Sequence, residues 1–303
     1  MKRHARRAKG IGGLGGPGVA AMVYLLGAWA ATAQIFEVKT WRDLSDNRTS
    51  RMGRAVMSAA RSPWVHAESA HFIYHSESLQ ELARVSQESE FAHDYIADYL
   101  GLREQDRKAR IFICVSERVW FRAMEIGGRR EDGVSLHVGN EIYVYRPDEQ
   151  REPGMDVAHE LVHFRIQREF GDRVPLWLEE GLAVYLGWKT ARAYQETLGR
   201  SVYREMPALD EADMLEWNEV FQRRQYPRDP DANRAFYRLA SHAVERMIDV
   251  LGREAVPRLL TLVRDGQAEL EAVLREEFGV SKEEIHALWR DARADALRKQ
   301  RAE

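Results

Sequence analysis

The amino-acid sequence predicts an α+β fold, with strands concentrated in the first half of the chain and helices in the second. In the first half, short apolar or alternating runs are typical of strands and recur at 71–75, 110–115, 133–138 and 141–145. From Met155 onwards, apolar residues recur at the helical period instead. A β-rich half followed by a helical half indicates an α+β arrangement, in which helices and sheet are segregated along the chain.

The individual elements follow from periodicity and from glycines at their ends. A helix is predicted at 78–100, ended by Gly101, and a shorter one at 116–126. Gly139-Asn140 predicts a tight turn between two strands. The second half contains predicted helices at 155–170, 176–187, 190–204, 232–251, 253–265, 267–277 and 281–298, with a long loop at 206–230.

We divide the chain into four segments. Residues 1–33 are a predicted signal peptide, and 34–67 form an N-terminal segment. Most of this second segment is polar, which predicts a loosely structured stretch with one short helix. Residues 68–172 form the α+β subdomain, and 173–303 form a helical subdomain.

The first 33 residues have the order of a secretory signal peptide. A basic start, Met1 to Lys9, precedes an apolar run from Gly18 to Ala31, and Ala31-Thr-Ala33 offers small residues before a cut at Gln34. The apolar run is short for a membrane span, which needs about 20 residues. We therefore predict an exported protein, periplasmic or secreted in a bacterium. The mature chain then has no membrane span, unless the signal is retained as an anchor.

The composition excludes several classes of protein. Hydrophobic residues make up 45% of the sequence and charged residues 31%, which excludes a disordered chain and a multi-span membrane protein. A single cysteine, Cys114, excludes a disulfide scaffold and a cysteine-based zinc knuckle. The formal net charge is −3 although the signal segment is basic, so the mature chain is acidic and is a poor partner for nucleic acid.

The motif His159-Glu160-Leu-Val-His163 lies in a predicted helix and carries the main chemical hypothesis. Two histidines four residues apart lie about 40° apart around a helix, so both imidazoles can bind one metal ion. Glu160 is placed to act as the general base that takes a proton from the catalytic water. Two buried histidines and a buried glutamate are costly without a metal, so a metal site is favoured over packing histidines.

A zinc hydrolase needs a third protein ligand. Glu169 lies six residues after His163, about 240° around the helix, and therefore faces the wrong side. The next predicted helix carries Glu179 and Glu180 in an otherwise apolar stretch. Acids near a helix start also suit the helix dipole, so spacing alone leaves open which of the two is a ligand.

The two motifs together resemble the gluzincin zinc metallopeptidases, in particular aminopeptidase N and its smaller peptidase MA-like relatives. Trp177-Leu-Glu-Glu180-Gly-Leu-Ala183 is similar to the family's Trp-Leu-x-Glu-Gly-Phe-Ala, and the helical tail at 236–289 is similar as well. The resemblance covers 68–295 and implies a zincin-like fold, with a small mixed sheet packed on the active-site helix. It also implies Zn²⁺ as the cofactor and Glu180 as its third ligand.

In this family a tyrosine or a histidine on a later helix donates a hydrogen bond to the oxyanion. By resemblance, Tyr237 falls on the tyrosine position. His242 is the alternative, but five residues correspond to about 140° around a helix, so the two side chains cannot both face the metal. We therefore predict Tyr237 as the catalytic partner of Glu160.

Two departures from the family pattern bear on activity. Thermolysin-type enzymes have an aspartate four residues after the zinc glutamate, where this sequence has Val184, so the partner of a ligand histidine must come from elsewhere. Aminopeptidase N has a Gly-x-Met-Glu-Asn strand whose glutamate captures the substrate amine. The nearest counterpart begins with Gly133, Val134 and Ser135 and lacks that glutamate. We predict these three residues as an edge strand for an extended peptide, and we favour endopeptidase activity.

The sequence therefore predicts an exported zinc metallopeptidase that acts on peptide or protein substrates. One alternative is a non-catalytic envelope binding protein with a zincin fold. Glu160 disfavours it, because a purely structural metal site gains nothing from a base. A second alternative is a zinc hydrolase of a non-peptide amide, such as a cell-wall crosslink. No specificity pocket can be read from the sequence, so this alternative stays open.

Overall fold

The computed structural model describes residues 35–102, 107–128, 134–147, 155–200, 206, 220–266, 270–281, 284, 287, 290 and 294. The strands are β1 Glu37–Lys39, β2 Val65–Glu68, β3 Phe72–Ser76, β4 Ala109–Cys114, β5 Ser135–Val138 and β6 Glu141–Tyr145. The helices are α1 Arg51–Ala59, α2 Leu79–Leu100, α3 Glu117–Gly127, α4 Met155–Phe170, α5 Leu176–Thr197, α6 Pro230–Leu251, α7 Ala255–Arg264 and α8 Leu270–Phe278. All described strands precede α4, in agreement with the predicted α+β class.

The described strands form one mixed, six-stranded sheet in the order β1-β2-β3-β4-β6-β5. The central strands β3, β4 and β6 run parallel, and the outer pairs β1–β2, β2–β3 and β5–β6 are antiparallel. β5 and β6 are joined through the predicted turn, where Gly139 has a φ of 62° that favours glycine. Because β5 stands last in the strand order, it forms one edge of the described sheet.

Helices cover both faces of the sheet. Because side chains alternate along a strand, Ile111 and Ile113 of β4 point to one face, which packs against α2 and α4. We call it the bundle face. Phe112 and Cys114 point to the opposite face, which packs against α1 and α3 and which we call the outer face. The position of α4 on the bundle face brings the His159 motif next to β5.

The N-terminal segment is more ordered than its composition predicts, because it contributes β1, α1 and β2. A buried carboxylate on β6, Glu141, accepts hydrogen bonds from the backbone N–H of Ser50, at 2.7 Å, and from the Ser50 and Tyr143 hydroxyls. Ser50 in turn caps α1 by accepting from the N–H of Gly53 at 2.9 Å. Composition did not reveal this order, because the partners come from strands far along the chain.

The two helices predicted at 176–187 and 190–204 are one continuous helix as far as Thr197, so the predicted break was wrong. Gly187 lies inside it, and a Cβ there would be 3.4 Å from the carbonyl oxygen of Met155 on α4. A Cβ at Gly181 would be 2.4 Å from the carbonyl oxygen of Ala240 on α6. At these two glycines α5 packs closely against α4 and α6. This close packing outweighs the low helix propensity of glycine.

None of the described helices is both long and apolar enough to cross a membrane. The predicted signal peptide lies outside the described residues. So do most of the predicted helix at 281–298 and most of the predicted loop at 206–230.

Candidate metal centre

Two adjacent helices carry the residues that the motifs single out. His159, Glu160 and His163 lie on α4, and Glu180 lies on α5, which packs along it. Glu160, His163 and Glu180 are buried, and His159 is partly buried. The apolar residues between and beside them, such as Leu161, pack into the core and hold the polar groups in this position.

Three nitrogen and oxygen atoms of this group face one another. Nε2 of His159 and Nε2 of His163 are 3.2 Å apart. Oε2 of Glu180 is 3.3 Å from the His163 nitrogen and 3.7 Å from the His159 nitrogen. Ligand atoms on a tetrahedral zinc ion, at bonds of about 2.0–2.1 Å, lie about 3.3–3.4 Å apart. The spacing of these three atoms therefore fits a zinc ion.

A second observation supports the same fit. Oε2 of Glu180 is buried and has no hydrogen-bond partner among the described residues. It faces the two histidine nitrogens at 3.3 and 3.7 Å, and a cation bound between the three atoms would satisfy this buried carboxylate oxygen. The two histidines and one carboxylate also form a donor set that zinc accepts in catalytic sites.

The carboxylates around the site favour a cation there. Burial disfavours the charged form of His163, but Glu180 and Glu179 outweigh this effect and raise its pKa well above the usual value. Burial likewise raises the pKa of Glu180, but the neighbouring His163 and His159 outweigh it, so the net shift is downward. Burial and His163 lower the pKa of His159. A proton or a metal ion is therefore stabilised at the point where the three groups meet.

Glu179 has a different function from Glu180, although the two are consecutive. Nδ1 of His163 donates to Oε1 of Glu179 at 2.9 Å, and the Gln167 side chain donates to the same oxygen at 3.2 Å. The bond fixes the orientation of the His163 ring, with Nε2 turned to the other ligand atoms. Glu179 thus supplies the hydrogen-bond partner for a ligand histidine, which Val184 cannot supply. The sequence contained one signal of this difference. Consecutive residues are about 100° apart around a helix, so Glu179 and Glu180 must face different groups.

The general-base candidate is held by the edge strand. The hydroxyl of Ser135, on β5, donates to Oε1 of Glu160 at 2.8 Å. The preceding residue, Val134, accepts from the N–H of Tyr145 at 2.8 Å and so continues the pairing with β6. The sequence placed Val134 and Ser135 on an edge strand but did not reveal the bond to Glu160. Gly133 lies outside the described residues.

Two tyrosines lie close to the candidate ligands. The ring of Tyr237, on α6, is centred 6.3 Å from the ring of His159. His242, on the same helix, has Nδ1 3.6 Å from a carboxylate oxygen of Glu245. The hydroxyl of Tyr226 donates to Oε1 of Glu180 from the coil before α6. Sequence reasoning missed Tyr226, because no motif marks it.

Another group of possible ligands occurs among the described residues, formed by His71, His93 and Asp94. The two imidazole rings are stacked, with centroids 3.7 Å apart and planes 15° from parallel. Nitrogen lone pairs lie in the ring plane, so two parallel stacked rings cannot both point at one ion. Nδ1 of His71 is also hydrogen-bonded to a carboxylate oxygen of Glu90, at 2.5 Å. The group around His163 is therefore the better candidate for a metal site.

Comparison with known proteins does not place the chain in a family, since neither a family profile nor a curated protein matches it.

Proposed function

We propose that the chain is an exported zinc metallopeptidase of gluzincin type, with a zincin-like fold, and that it cleaves bonds within peptide chains. The observation that carries the proposal is the triangle of ligand atoms from His159, His163 and Glu180, with spacings of 3.2, 3.3 and 3.7 Å. Glu160, one residue from the first ligand, adds the base that a hydrolase needs. The adjacent edge strand supports a peptide as substrate.

His159, His163 and Glu180 are the residues that would hold the metal. A bound zinc ion supplies Lewis acidity, which makes water a stronger nucleophile and polarises the scissile carbonyl. Glu160, oriented by the Ser135 hydroxyl, accepts the proton of the attacking water and later delivers it to the leaving amine. Tyr237 donates a hydrogen bond to the oxyanion that develops on the carbonyl.

The β5 strand provides the means of holding an extended substrate. It is the edge of the described sheet next to α4, so its outward backbone groups can pair with a peptide. Pairing there places a scissile bond beside Glu160, because Ser135 of the same strand already touches that carboxylate. Internal segments of a substrate can bind in this way, which favours endopeptidase activity.

The test compares purified residues 34–303 with the Glu160→Gln variant. We expect both proteins to bind one zinc ion and only the first to cut a peptide library, with turnover of the variant lower by about 10²–10⁴-fold. Cleavage products are identified by mass spectrometry. Glu169→Gln is the matched control, since Glu169 is on the same helix but pairs with Arg165 at 3.7 Å, and it should retain activity.

Each other outcome separates the proposal from its alternatives. Internal cleavage retained by Glu160→Gln contradicts the base assignment. Removal of single N-terminal residues by the wild type indicates an aminopeptidase instead. Zinc binding without peptide cleavage favours a non-peptide amide substrate or a binding protein.

A further inference from the structure

The two carboxylate oxygens of Glu180 have different surroundings. Oε2 faces the histidine nitrogens and, among the described residues, lacks a hydrogen-bond partner. Oε1 accepts a hydrogen bond from the hydroxyl of Tyr226. The Glu180 side chain is 1% exposed, so bulk water does not compete for either oxygen. Tyr226 therefore holds Oε1, while Oε2 is left to face the two histidines.

Tyr226 lies in coil, but the chain is anchored directly after it. Pro227 is buried, and Asp229 caps α6 by accepting from the N–H of Ala232 at 2.9 Å. Pro230 occupies the first turn of α6, where its fixed φ suits a helix start. The Tyr226 ring also lies 6.3 Å from the ring of Tyr237. The start of α6 therefore holds the Tyr226 hydroxyl against Glu180.

We propose that Tyr226 is a positioning residue for Glu180, a role that rests on the proposed zinc site. Its hydroxyl occupies Oε1, so that the carboxylate offers only Oε2 to the ion. The terminal torsion of a glutamate is broad, and a carboxylate without this partner can rotate and bind through both oxygens. Hydrogen-bond partners of metal ligands typically contribute about 10–100-fold in metal affinity.

Tyr237 is a matched control for Tyr226. The two rings are neighbours, and replacing either tyrosine by phenylalanine removes one hydroxyl and keeps the ring. The structure pairs Tyr226 with the ligand Glu180, whereas the proposed role of Tyr237 is toward the substrate. We therefore expect Tyr226→Phe to weaken zinc binding and Tyr237→Phe to leave it unchanged.

The first measurement is a zinc titration of metal-free residues 34–303 in competition with a chelating dye. We expect the dissociation constant to rise about 10–100-fold in Tyr226→Phe and to be unchanged in Tyr237→Phe. Thermal unfolding of the metal-free proteins checks that each is folded. Tyr226 is 37% exposed, so its replacement by phenylalanine removes little packing.

The visible spectrum of bound cobalt(II) provides a second readout. It should not change if Tyr226 has a merely structural role. Four-coordinate cobalt absorbs visible light more strongly than five-coordinate cobalt, so the spectrum reports the coordination number, which rises by one when the second carboxylate oxygen binds. We expect the four-coordinate spectrum for the wild type and for Tyr237→Phe, and weaker absorption for Tyr226→Phe. A spectrum of Tyr226→Phe identical to that of the wild type contradicts the inference.

The outcomes distinguish this inference from the proposed function. If Tyr226→Phe binds zinc and cobalt as the wild type does, Tyr226 is not a positioning residue and the zinc peptidase proposal stands. If the wild type binds no zinc, the proposed function itself fails.

Discussion

A pair of neighbouring histidines lies on each side of the sheet, one pair on the helix α4 and one pair on the strands themselves. The charge around the two pairs differs. Over the bundle face, His159 and His163 present Nε2 atoms 3.2 Å apart. On the outer face, His66 and His75 are cross-strand partners on β2 and β3, with Nδ1 atoms 2.9 Å apart. The distance between the imidazoles is therefore similar in both places.

The surroundings of the outer-face pair disfavour positive charge. The ring of Trp41 is centred 5.2 Å from that of His66, and the ring of Phe112 is centred 4.7 Å from that of His75. Burial lowers the pKa of His66, and burial, His66 and Arg110 lower that of His75. Around His163, by contrast, Glu179 and Glu180 overcome burial and raise the pKa. Close imidazoles therefore suit a metal site only where a carboxylate faces them.

The largest expected effect is on zinc affinity. His163→Ala removes one of three proposed ligands, so the loss should exceed the roughly 100-fold upper range for a hydrogen-bond partner of a ligand. His66→Ala, in the other pair, should bind zinc as the wild type does. Isothermal titration of both metal-free variants measures this difference. An equal loss in the two variants is incompatible with the contrast between the two faces.

A smaller effect is expected from the charge that orients His163. Glu179→Gln keeps an oxygen opposite Nδ1 but removes its negative charge, and zinc affinity should fall about 10-fold, the lower range for such partners. The exposed Glu196, on the same helix and paired with Arg192 at 3.2 Å, provides the control variant Glu196→Gln. Zinc release to a chelator, followed over time, is the measurement. Equal release from both variants indicates that Glu179 has no part in metal binding.

A further effect is expected in the stability of the metal-free protein toward acid. The pKa of His75 lies well below its usual value of 6.5 in the folded chain, so the unfolded chain takes up the proton first as the pH falls. The free energy of unfolding should therefore decrease below about pH 6.5, by at most about 1.4 kcal/mol per pH unit for this residue. This loss continues until the folded-state pKa is reached.

Urea unfolding between about pH 7 and pH 5 tests this prediction by comparing the wild type with His75→Leu. The variant cannot titrate at position 75, so its stability should depend less steeply on pH. Identical slopes for the two proteins contradict the assignment of a depressed pKa to His75.

Local patterns predicted much of this molecule. The helix Met155–Phe170 and the strand Glu141–Tyr145 have the predicted bounds, because apolar periodicity and flanking glycines act over short distances. The structure also brings together His159, His163 and Glu180, which helical spacing and family resemblance had singled out. Two of these are related by one helical turn, which is a local property.

The partners of these residues could not be predicted in the same way. Ser135 reaches Glu160 across 25 residues, and Tyr226 reaches Glu180 across 46. Both contacts depend on how β5 and the start of α6 pack against α4 and α5, which no local pattern encodes. The same reason explains why the order of the N-terminal segment was not predicted, since the partner of Ser50 is 91 residues away.

Gly181 links the proposed ligand Glu180 to the position of α6. It follows Glu180 directly, and at this point the backbone of α6 comes so close that a Cβ would be 2.4 Å from the Ala240 carbonyl oxygen. Any larger residue must push α6 outward by something on the order of 1 Å to reach ordinary contact distances. Tyr237 is carried on α6 and moves with it. Under the proposed mechanism, a displacement of about 1 Å is enough to reduce turnover about 100-fold. Under the proposed mechanism, the glycine therefore acts as a spacer that sets the distance between the proposed oxyanion donor and the proposed metal site.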